Sequence, residues 1–134
     1  TELTKAQISQ GADVVYAAAG GTGVGVLQAA ADADILSIGV DANQNYMHPG
    51  QVLTSMLKRV DLAVYNAFSE GESLTTGFNV MGLAEDGVGY ALDEHNESLV
   101  SAKMISALEA EKAKIVSGEI KVHDYMSDNT CPAK

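Results

Sequence analysis

The pattern that most constrains this chain is a pair of short apolar runs separated by a glycine-rich turn and a helix-forming segment. The runs cover residues 14–19 and 35–40, with three glycines at 20, 21 and 23 and helix-forming residues from 24 to 31. Short apolar runs bounded by turn residues are typical of buried parallel strands. A strand–helix–strand unit makes its two strands parallel through a right-handed crossover. The pattern therefore predicts an α/β fold: a Rossmann-like lobe with a parallel sheet, covering residues 1–134 as a single domain.

The rest of the chain predicts further elements of the same lobe. An apolar residue recurs at helical spacing over residues 53–68, which predicts the clearest helix of the chain. Apolar segments at 78–83 and 88–92 flank an Asp-Gly pair and predict a β-hairpin. Residues 104–115 predict a C-terminal helix that stops at Gly118. We expect one more strand at 120–122 and a loose tail over 126–134.

Composition excludes several classes of protein. The formal net charge is -10, from 18 acidic and 8 basic residues, so a polyanion such as nucleic acid would be repelled. The sequence contains a single cysteine, Cys131, which provides neither a disulfide framework nor a Cys-rich zinc site. No apolar run reaches the roughly 18 residues needed to cross a membrane. We therefore expect a globular protein whose partner is a small molecule and not a nucleic acid.

Two glycines of the turn, Gly20 and Gly21, are candidates for a ligand-binding role. They follow the first predicted strand and precede a helix, where the backbone allows close approach and free N–H groups are available. The spacing differs from the dinucleotide-binding fingerprint: a motif begun at Gly21 would need its last glycine at Val26, and one begun at Gly20 would need its second glycine at Thr22. A tight strand-to-helix turn without a ligand is the alternative interpretation.

Asp41 and Lys58 are the charged candidates. Asp41 ends the second predicted strand, about 20 residues after the glycine turn, where an acidic residue commonly accepts hydrogen bonds from ribose hydroxyls. It could equally cap its own turn. Lys58 lies off the buried face of the predicted helix, and its spacing to Asp61 suits an ordinary surface ion pair.

Catalytic and metal-binding patterns are missing from the sequence. His48, His95 and His123 share no metal-ligand spacing, and no Gly-x-Ser-x-Gly elbow occurs. No two carboxylates are marked as an acid–base pair. We therefore expect no enzymatic activity, no cofactor and no metal, and a cleft edge suited to a polyol.

Three ordered motifs resemble the basic membrane protein family of ABC-transporter substrate-binding lipoproteins. They are GADVVYAAAGGTGVGV at 11–26, IGVDANQNY at 38–46 and VLTSMLKRVD at 52–61, and residues 87–89 and 115–122 match more loosely. The resemblance implies a type I periplasmic-binding protein that closes two lobes on a purine nucleoside or similar ligand and delivers it to an ABC permease. It further implies that Gly20 and Gly21 line the cleft, Asp41 holds sugar hydroxyls and Lys58 extends its ammonium into the cleft.

The resemblance also implies parts that this sequence does not contain. Family members have an N-terminal lobe preceded by a lipoprotein signal, so we expect this chain to be the C-terminal lobe alone. The aromatic residues that stack on a base are expected mostly in the missing lobe. The full-length product would be a periplasmic or cell-surface lipoprotein. Two alternatives remain: a nucleotide-dependent α/β enzyme, and a cytoplasmic ligand-sensing regulator on the same fold.

Overall fold

The computed structural model describes residues 1–131, which form helices around one four-stranded sheet of order β1-β2-β3-β4. The helices are α1 (Glu2–Ser9), α2 (Gly23–Asp32), α3 (Val60–Glu70), α4 (Ala102–Ser117) and α5 (Tyr125–Asp128). The strands are β1 (Val14–Tyr16), β2 (Leu36–Asp41), β3 (Val52–Lys58) and β4 (Val88–Tyr90). Short 3₁₀ turns occupy Asn45–Met47 and Gly71–Ser73.

The sheet is mostly parallel, as the sequence predicts. β1 pairs with β2 and β2 pairs with β3 in parallel, whereas β4 runs antiparallel to β3. The register places Val15 beside Ser37 and Asp41 beside Leu57. Because three neighbouring strands run in the same direction, their carboxyl ends lie at one edge of the sheet.

The core lies where α2 packs on β1 and β2. Leu27, Ala29 and Ala30 of α2 are buried, and so are Val15 of β1 and Val40 of β2. Small alanines allow the helix to approach the sheet closely, and full burial of Leu27 contributes roughly 1.5–3 kcal/mol. The predicted strand–turn–helix–strand unit is therefore the part of the lobe with the best-formed core.

The helix predicted over residues 53–68 is wrong in its first part. Residues Val52–Lys58 form strand β3, and the helix begins only at Val60. The apolar residues that show the helical period belong partly to this strand and partly to the helix that follows it. β3 has β2 on one side and β4 on the other, and this pairing decides the conformation of an apolar segment that suits either structure.

The predicted hairpin is also corrected. Residues 88–90 form a strand, but their antiparallel partner is β3, and residues 78–83 form no strand. The segment before Gly87 closes on itself instead: Gly87 N–H donates to Gly82 O at 2.9 Å, and Gly82 N–H donates to Glu85 Oε2 at 2.8 Å. These bonds use backbone groups that a hairpin ladder would need.

The C-terminal helix is confirmed, with its ends defined by caps. Ser101 Oγ accepts a hydrogen bond from Met104 N–H at the N-terminus, and Gly118 ends the helix with φ of 80°. The strand predicted at 120–122 is absent, since no partner strand lies beside it among residues 1–131. Within the segment predicted as a loose tail, α5 forms one helical turn with exposed side chains, and residues 132–134 lie outside the described part.

Candidate ligand-binding site

The structure places all the sequence-predicted site residues at the carboxyl edge of the parallel strands. Gly20 and Gly21 follow β1, Asp41 ends β2 and Lys58 ends β3. Asp41 pairs with Leu57, so Lys58 is the next residue along the neighbouring strand. Adjacent strands are about 4.8 Å apart, so Asp41 and Lys58 are neighbours at this edge.

Asp41 occupies an unusual backbone conformation. Its φ is 67°, and Ala42 N–H donates to Val40 O at 2.9 Å, which closes a three-residue γ-turn around it. A γ-turn with positive φ at a non-glycine residue is rare and strained, at a cost of about 1–3 kcal/mol. The Asp41 side chain is exposed at the end of the strand. Strain at a residue that also carries an exposed carboxylate is typical of a functional site.

The loop after Asp41 is held against β2 and β3 by hydrogen bonds. Gln44 Oε1 accepts from Val40 N–H at 2.9 Å, and Gln44 N–H donates to Ser55 Oγ at 2.9 Å. The hydroxyl of Ser55 donates in turn to Asn45 Oδ1 at 2.8 Å. Gly39 leaves room for this arrangement, because a Cβ there would lie 2.6 Å from Ser55 Oγ and 2.9 Å from Gln44 Oε1.

A second set of bonds ties the same loop to the segment between β4 and α4. Asp93 Oδ2 accepts from Asn43 Nδ2 at 2.6 Å and from Asn45 Nδ2 at 3.1 Å. Asp93 Oδ1 accepts from the His95 N–H at 2.9 Å. The hydrogen bond from Asn43, together with those from His95 and Asn45, lowers the pKa of Asp93 below its ordinary value of 3.8.

Gly20 and Gly21 are not required by packing inside the lobe. A Cβ added at either position would meet no heavy atom of the described residues within 4 Å, and neither has positive φ. Gly20 O accepts from Gly23 N–H at 2.8 Å, where α2 begins. Both glycines are exposed, so a side chain there would extend into the space beside the sheet edge.

Lys58 is exposed at the end of β3. The sequence periodicity places it on a helix, and this prediction is wrong. Its predicted alternative partner, Asp61, is bound instead by Arg59, with Nη2 and Oδ2 2.9 Å apart. The side-chain hydrogen bond between them raises the pKa of Arg59 and lowers that of Asp61. Within residues 1–131, Lys58 takes part in no ion pair.

A cavity also lies beside β3 and β4. It has a volume of about 840 Å³ and lies between the β3–β4 side of the sheet and α4. Met56, Tyr90, Leu108 and Ile115 contribute apolar lining, and Arg59, Asp86, Glu109 and Lys112 contribute charges. It contains none of Gly20, Gly21, Asp41 and Lys58. Size alone would direct attention to this cavity, but the polar chemistry expected of the site is at the sheet edge.

Sequence reasoning missed the residues that hold the Asp41 loop in place. Ser55, Asn45 and Asn96 are all fully buried and belong to this network, together with Asp93. One signal was visible: Ser55 interrupts the apolar run of β3, and a buried hydroxyl needs a partner. The identity of the partners, which are 10 to 50 residues away, could not be read from spacing. No group of three or more His, Cys, Asp or Glu in the described part of the chain is arranged to hold a metal ion.

Comparison with known proteins identifies the family of this chain. Residues 1–125 match the Bmp family, described as ABC transporter substrate-binding protein PnrA-like. The chain belongs to this family. Among relatives, the Bmp chain is 37% identical over 118 residues to basic membrane protein D of Borreliella burgdorferi. It is 34% identical over 142 residues to the CD4+ T-cell-stimulating antigen of Listeria monocytogenes. These alignments cover 84% and 90% of this chain but 34% and 38% of the relatives.

Solved structures confirm the fold of the Bmp chain. A solute-binding protein of an ABC transporter system from Aeropyrum pernix superposes with a TM-score of 0.75 at 31% identity, over 91% of this chain and 43% of that one. A transcriptional activator of the comK gene from Bacillus halodurans superposes with a TM-score of 0.76 over the same shares at 24% identity, which shows the fold alone. The Bmp chain is therefore a type I periplasmic-binding-protein lobe, and it spans less than half the length of these proteins.

Some relatives are named for a membrane association. An uncharacterized lipoprotein of Pyrococcus furiosus is 40% identical over 91 residues, which cover 62% of this chain and 23% of that protein. Within residues 1–131, no helix is both long and apolar enough to cross a membrane. Members of the Bmp family are thus substrate-binding components of transporters, some of them named lipoproteins.

Proposed function

We propose that this chain is the C-terminal lobe of a two-lobed ABC-importer receptor that binds a nucleoside-like ligand at the carboxyl edge of its sheet. The observation that carries the proposal is that Asp41 and Lys58 end adjacent parallel strands, while Gly20 and Gly21 lie in the turn that follows β1. In open α/β sheets, ligands bind beyond the carboxyl ends of the strands. Family membership supports the transport role, and the strained, exposed Asp41 supports the position of the site.

Each residue has a role that its chemistry allows. The Asp41 carboxylate has two acceptor oxygens, which suit the two hydroxyls of a ribose. Lys58 supplies donors to acceptor atoms of the ligand. The bare backbone at Gly20 and Gly21 admits the ligand without steric conflict. No bond is made or broken, so the protein acts by recognition alone and not as an enzyme.

The site needs a second half. Asp41 and Lys58 are both exposed in this lobe, and a ligand resting on them would keep one face in water. In a two-lobed protein the other lobe would cover that face, and closure of the two lobes would shift the population toward the form that the ABC permease recognises. The full-length product is then a lipoprotein at the periplasmic or outer face of the membrane.

Calorimetric titration of the full-length, two-lobed protein with purine ribonucleosides and their 2′-deoxy analogues tests this function. We expect Asp41→Ala to weaken ribonucleoside binding about 10- to 100-fold, since hydrogen bonds to a charged group contribute about 1.5–3 kcal/mol. The 2′-deoxy analogues should bind the wild type more weakly and be less affected by the substitution. Asp13→Ala is the matched control, because Asp13 is an exposed aspartate at the opposite, amino end of β1.

The outcomes separate the possible errors. Ribonucleoside binding that Asp41→Ala leaves unchanged would contradict the assignment of the site. No nucleoside binding at all would move the ligand to another class, with sugars tested next. Turnover of NAD(H) would instead support the enzyme alternative. The regulator alternative uses the same fold, and a lipoprotein signal upstream in the intact gene would exclude it.

A further inference from the structure

We infer that Asp93 is a positioning residue for ligand binding: it clamps the loop that presents Asp41, although it lies 52 positions further along the chain. The inference rests on the proposed role of Asp41 and adds a residue that the family motifs quoted above do not contain. Asp93 follows β4, on the connection to α4, and reaches the loop after β2 through side-chain hydrogen bonds.

The need for a clamp arises from the turn at Asp41. The γ-turn closed by Ala42 N–H and Val40 O holds Asp41 at φ of 67°. A conformation of this kind persists only where the surrounding structure determines it. On the strand side, Gln44 Oε1 binds Val40 N–H at 2.9 Å. Ser55 Oγ holds Gln44 N–H and Asn45 Oδ1 from β3, but it makes no bond to residues 42 and 43. These two residues directly follow Asp41, and a further fixed point there would keep the Asp41 carboxylate at the sheet edge.

Asp93 supplies that second point. Its Oδ2 accepts from Asn43 Nδ2 at 2.6 Å and from Asn45 Nδ2 at 3.1 Å, so one oxygen binds residues two and four positions after Asp41. Hydrogen bonds to an ionised acceptor are roughly twice as strong as neutral ones. The lowered pKa of Asp93 agrees with a carboxylate that these donors hold in its charged form.

Asp93 is itself anchored to the interior of the sheet. Asn96, which is fully buried, accepts from Asp93 N–H at 2.8 Å through Oδ1. Asn96 Nδ2 donates to Leu53 O of β3 at 2.9 Å and to Ala91 O at 3.0 Å. The clamp therefore connects the Asp41 loop to β3 and to the end of β4, and not to a freely moving segment.

The isosteric change Asp93→Asn replaces one acceptor oxygen with a donor and removes the charge. In the full-length protein we expect it to weaken purine ribonucleoside binding roughly tenfold. An effect of this size is common for the interaction energy between residues of one hydrogen-bond network. Combined with Asp41→Ala, it should have less than about a twofold further effect, because the carboxylate that it positions is gone. Glu97→Gln is the control: it neutralises an exposed carboxylate on the same connection and should leave binding unchanged.

A reciprocal exchange distinguishes positioning from a general loss of stability. Asn43→Asp places two carboxylates together and should weaken binding at least as much as Asp93→Asn. The double variant Asn43→Asp/Asp93→Asn restores one donor and one acceptor across the same contact, so binding should recover in part. Hydrogen exchange of the amides of residues 42–45 should be faster in each single variant than in the double variant.

Each result is decisive for one of the two proposals. If Asp41→Ala abolishes binding while Asp93→Asn changes neither binding nor amide exchange, the clamp is refuted and the proposed function stands. If Asp93→Asn weakens binding equally with and without Asp41, it acts on overall stability and the positioning role is refuted. If Asp41→Ala leaves binding unchanged, the assignment of the site to Asp41 fails, and the binding role of Asp93 fails with it.

Discussion

The hydroxyl of Ser55, in the middle of β3, donates a 2.8 Å hydrogen bond to Asn45 Oδ1 in the loop that follows Asp41. Both residues are fully buried. The same hydroxyl accepts from Gln44 N–H at 2.9 Å, so a single side chain satisfies two polar groups that the fold removes from water. The relationship explains why a buried serine lies in the middle of β3: it fixes the loop that follows the candidate ligand-binding carboxylate.

Replacing that hydroxyl should destabilise the lobe. Ser55→Ala would leave Asn45 Oδ1 and Gln44 N–H without their partner, and an unsatisfied buried polar group costs about 1–3 kcal/mol. We expect the free energy of unfolding, measured by urea denaturation, to fall by that amount. Ser106→Ala, at an exposed position of α4, should change it by less than about 0.5 kcal/mol. Equal stabilities of the two variants would show that the buried hydrogen bonds of Ser55 make no net contribution to the free energy of unfolding.

Gly39 in β2 and Gly20 in the turn after β1 should respond differently to the same substitution. Gly39→Ala would bring a Cβ within 2.6 Å of Ser55 Oγ and should cost about 1–3 kcal/mol of stability through overpacking. Gly20→Ala meets no atom within 4 Å and should leave stability nearly unchanged. In the full-length protein, however, Gly20→Ala should weaken ligand binding if the ligand approaches that backbone. Thermal unfolding and calorimetric titration of both variants check this pair.

Apolar residues of α2 and α3 should differ sharply in their contribution to the stability of this chain. Leu27 of α2 is 2% exposed, whereas Phe68 of α3 is 83% exposed. We expect Leu27→Ala to cost about 2–5 kcal/mol and Phe68→Ala less than about 0.5 kcal/mol. Urea denaturation of this chain alone measures both. A large loss in Phe68→Ala would mean that α3 is packed against another part of the lobe.

The stabilising effect of Asp93 should depend on pH in a defined direction. Its pKa in the folded chain is lowered from 3.8 by the hydrogen bond from Asn43, together with those from His95 and Asn45. A carboxyl group with a lowered pKa in the folded state stabilises the fold at pH values above its pKa in the unfolded state. That contribution is lost as the pH falls through the pKa of the folded state. The stability difference between wild type and Asp93→Asn should therefore be constant above about pH 5 and shrink below 3.8. Denaturation curves from pH 7 down to about pH 3 check it, and a difference that grows toward low pH would contradict it.

The predicted elements succeeded or failed according to how local their cause was. The βαβ unit and α4 were read correctly, because glycine turns, helix formers and a capping serine act within a few residues. The segment 52–58 was misread as helix, since its apolar spacing suits both structures and the choice depends on β2 beside it. The same limit applies to the predicted hairpin: the antiparallel partner of residues 88–90 is β3, and not residues 78–83.

The candidate site divides along the same line. The sequence by itself determined the family and the α/β fold class, and it singled out Gly20, Gly21, Asp41 and Lys58 as candidates, because all of these depend on motifs of consecutive residues. Only the tertiary structure decided that these residues share one edge of the sheet and that Lys58 ends a strand. It also decided that Asp93 and Ser55 hold the Asp41 loop, because hydrogen bonds between residues 10 to 50 positions apart are set by the packing of strands and leave no mark in local spacing.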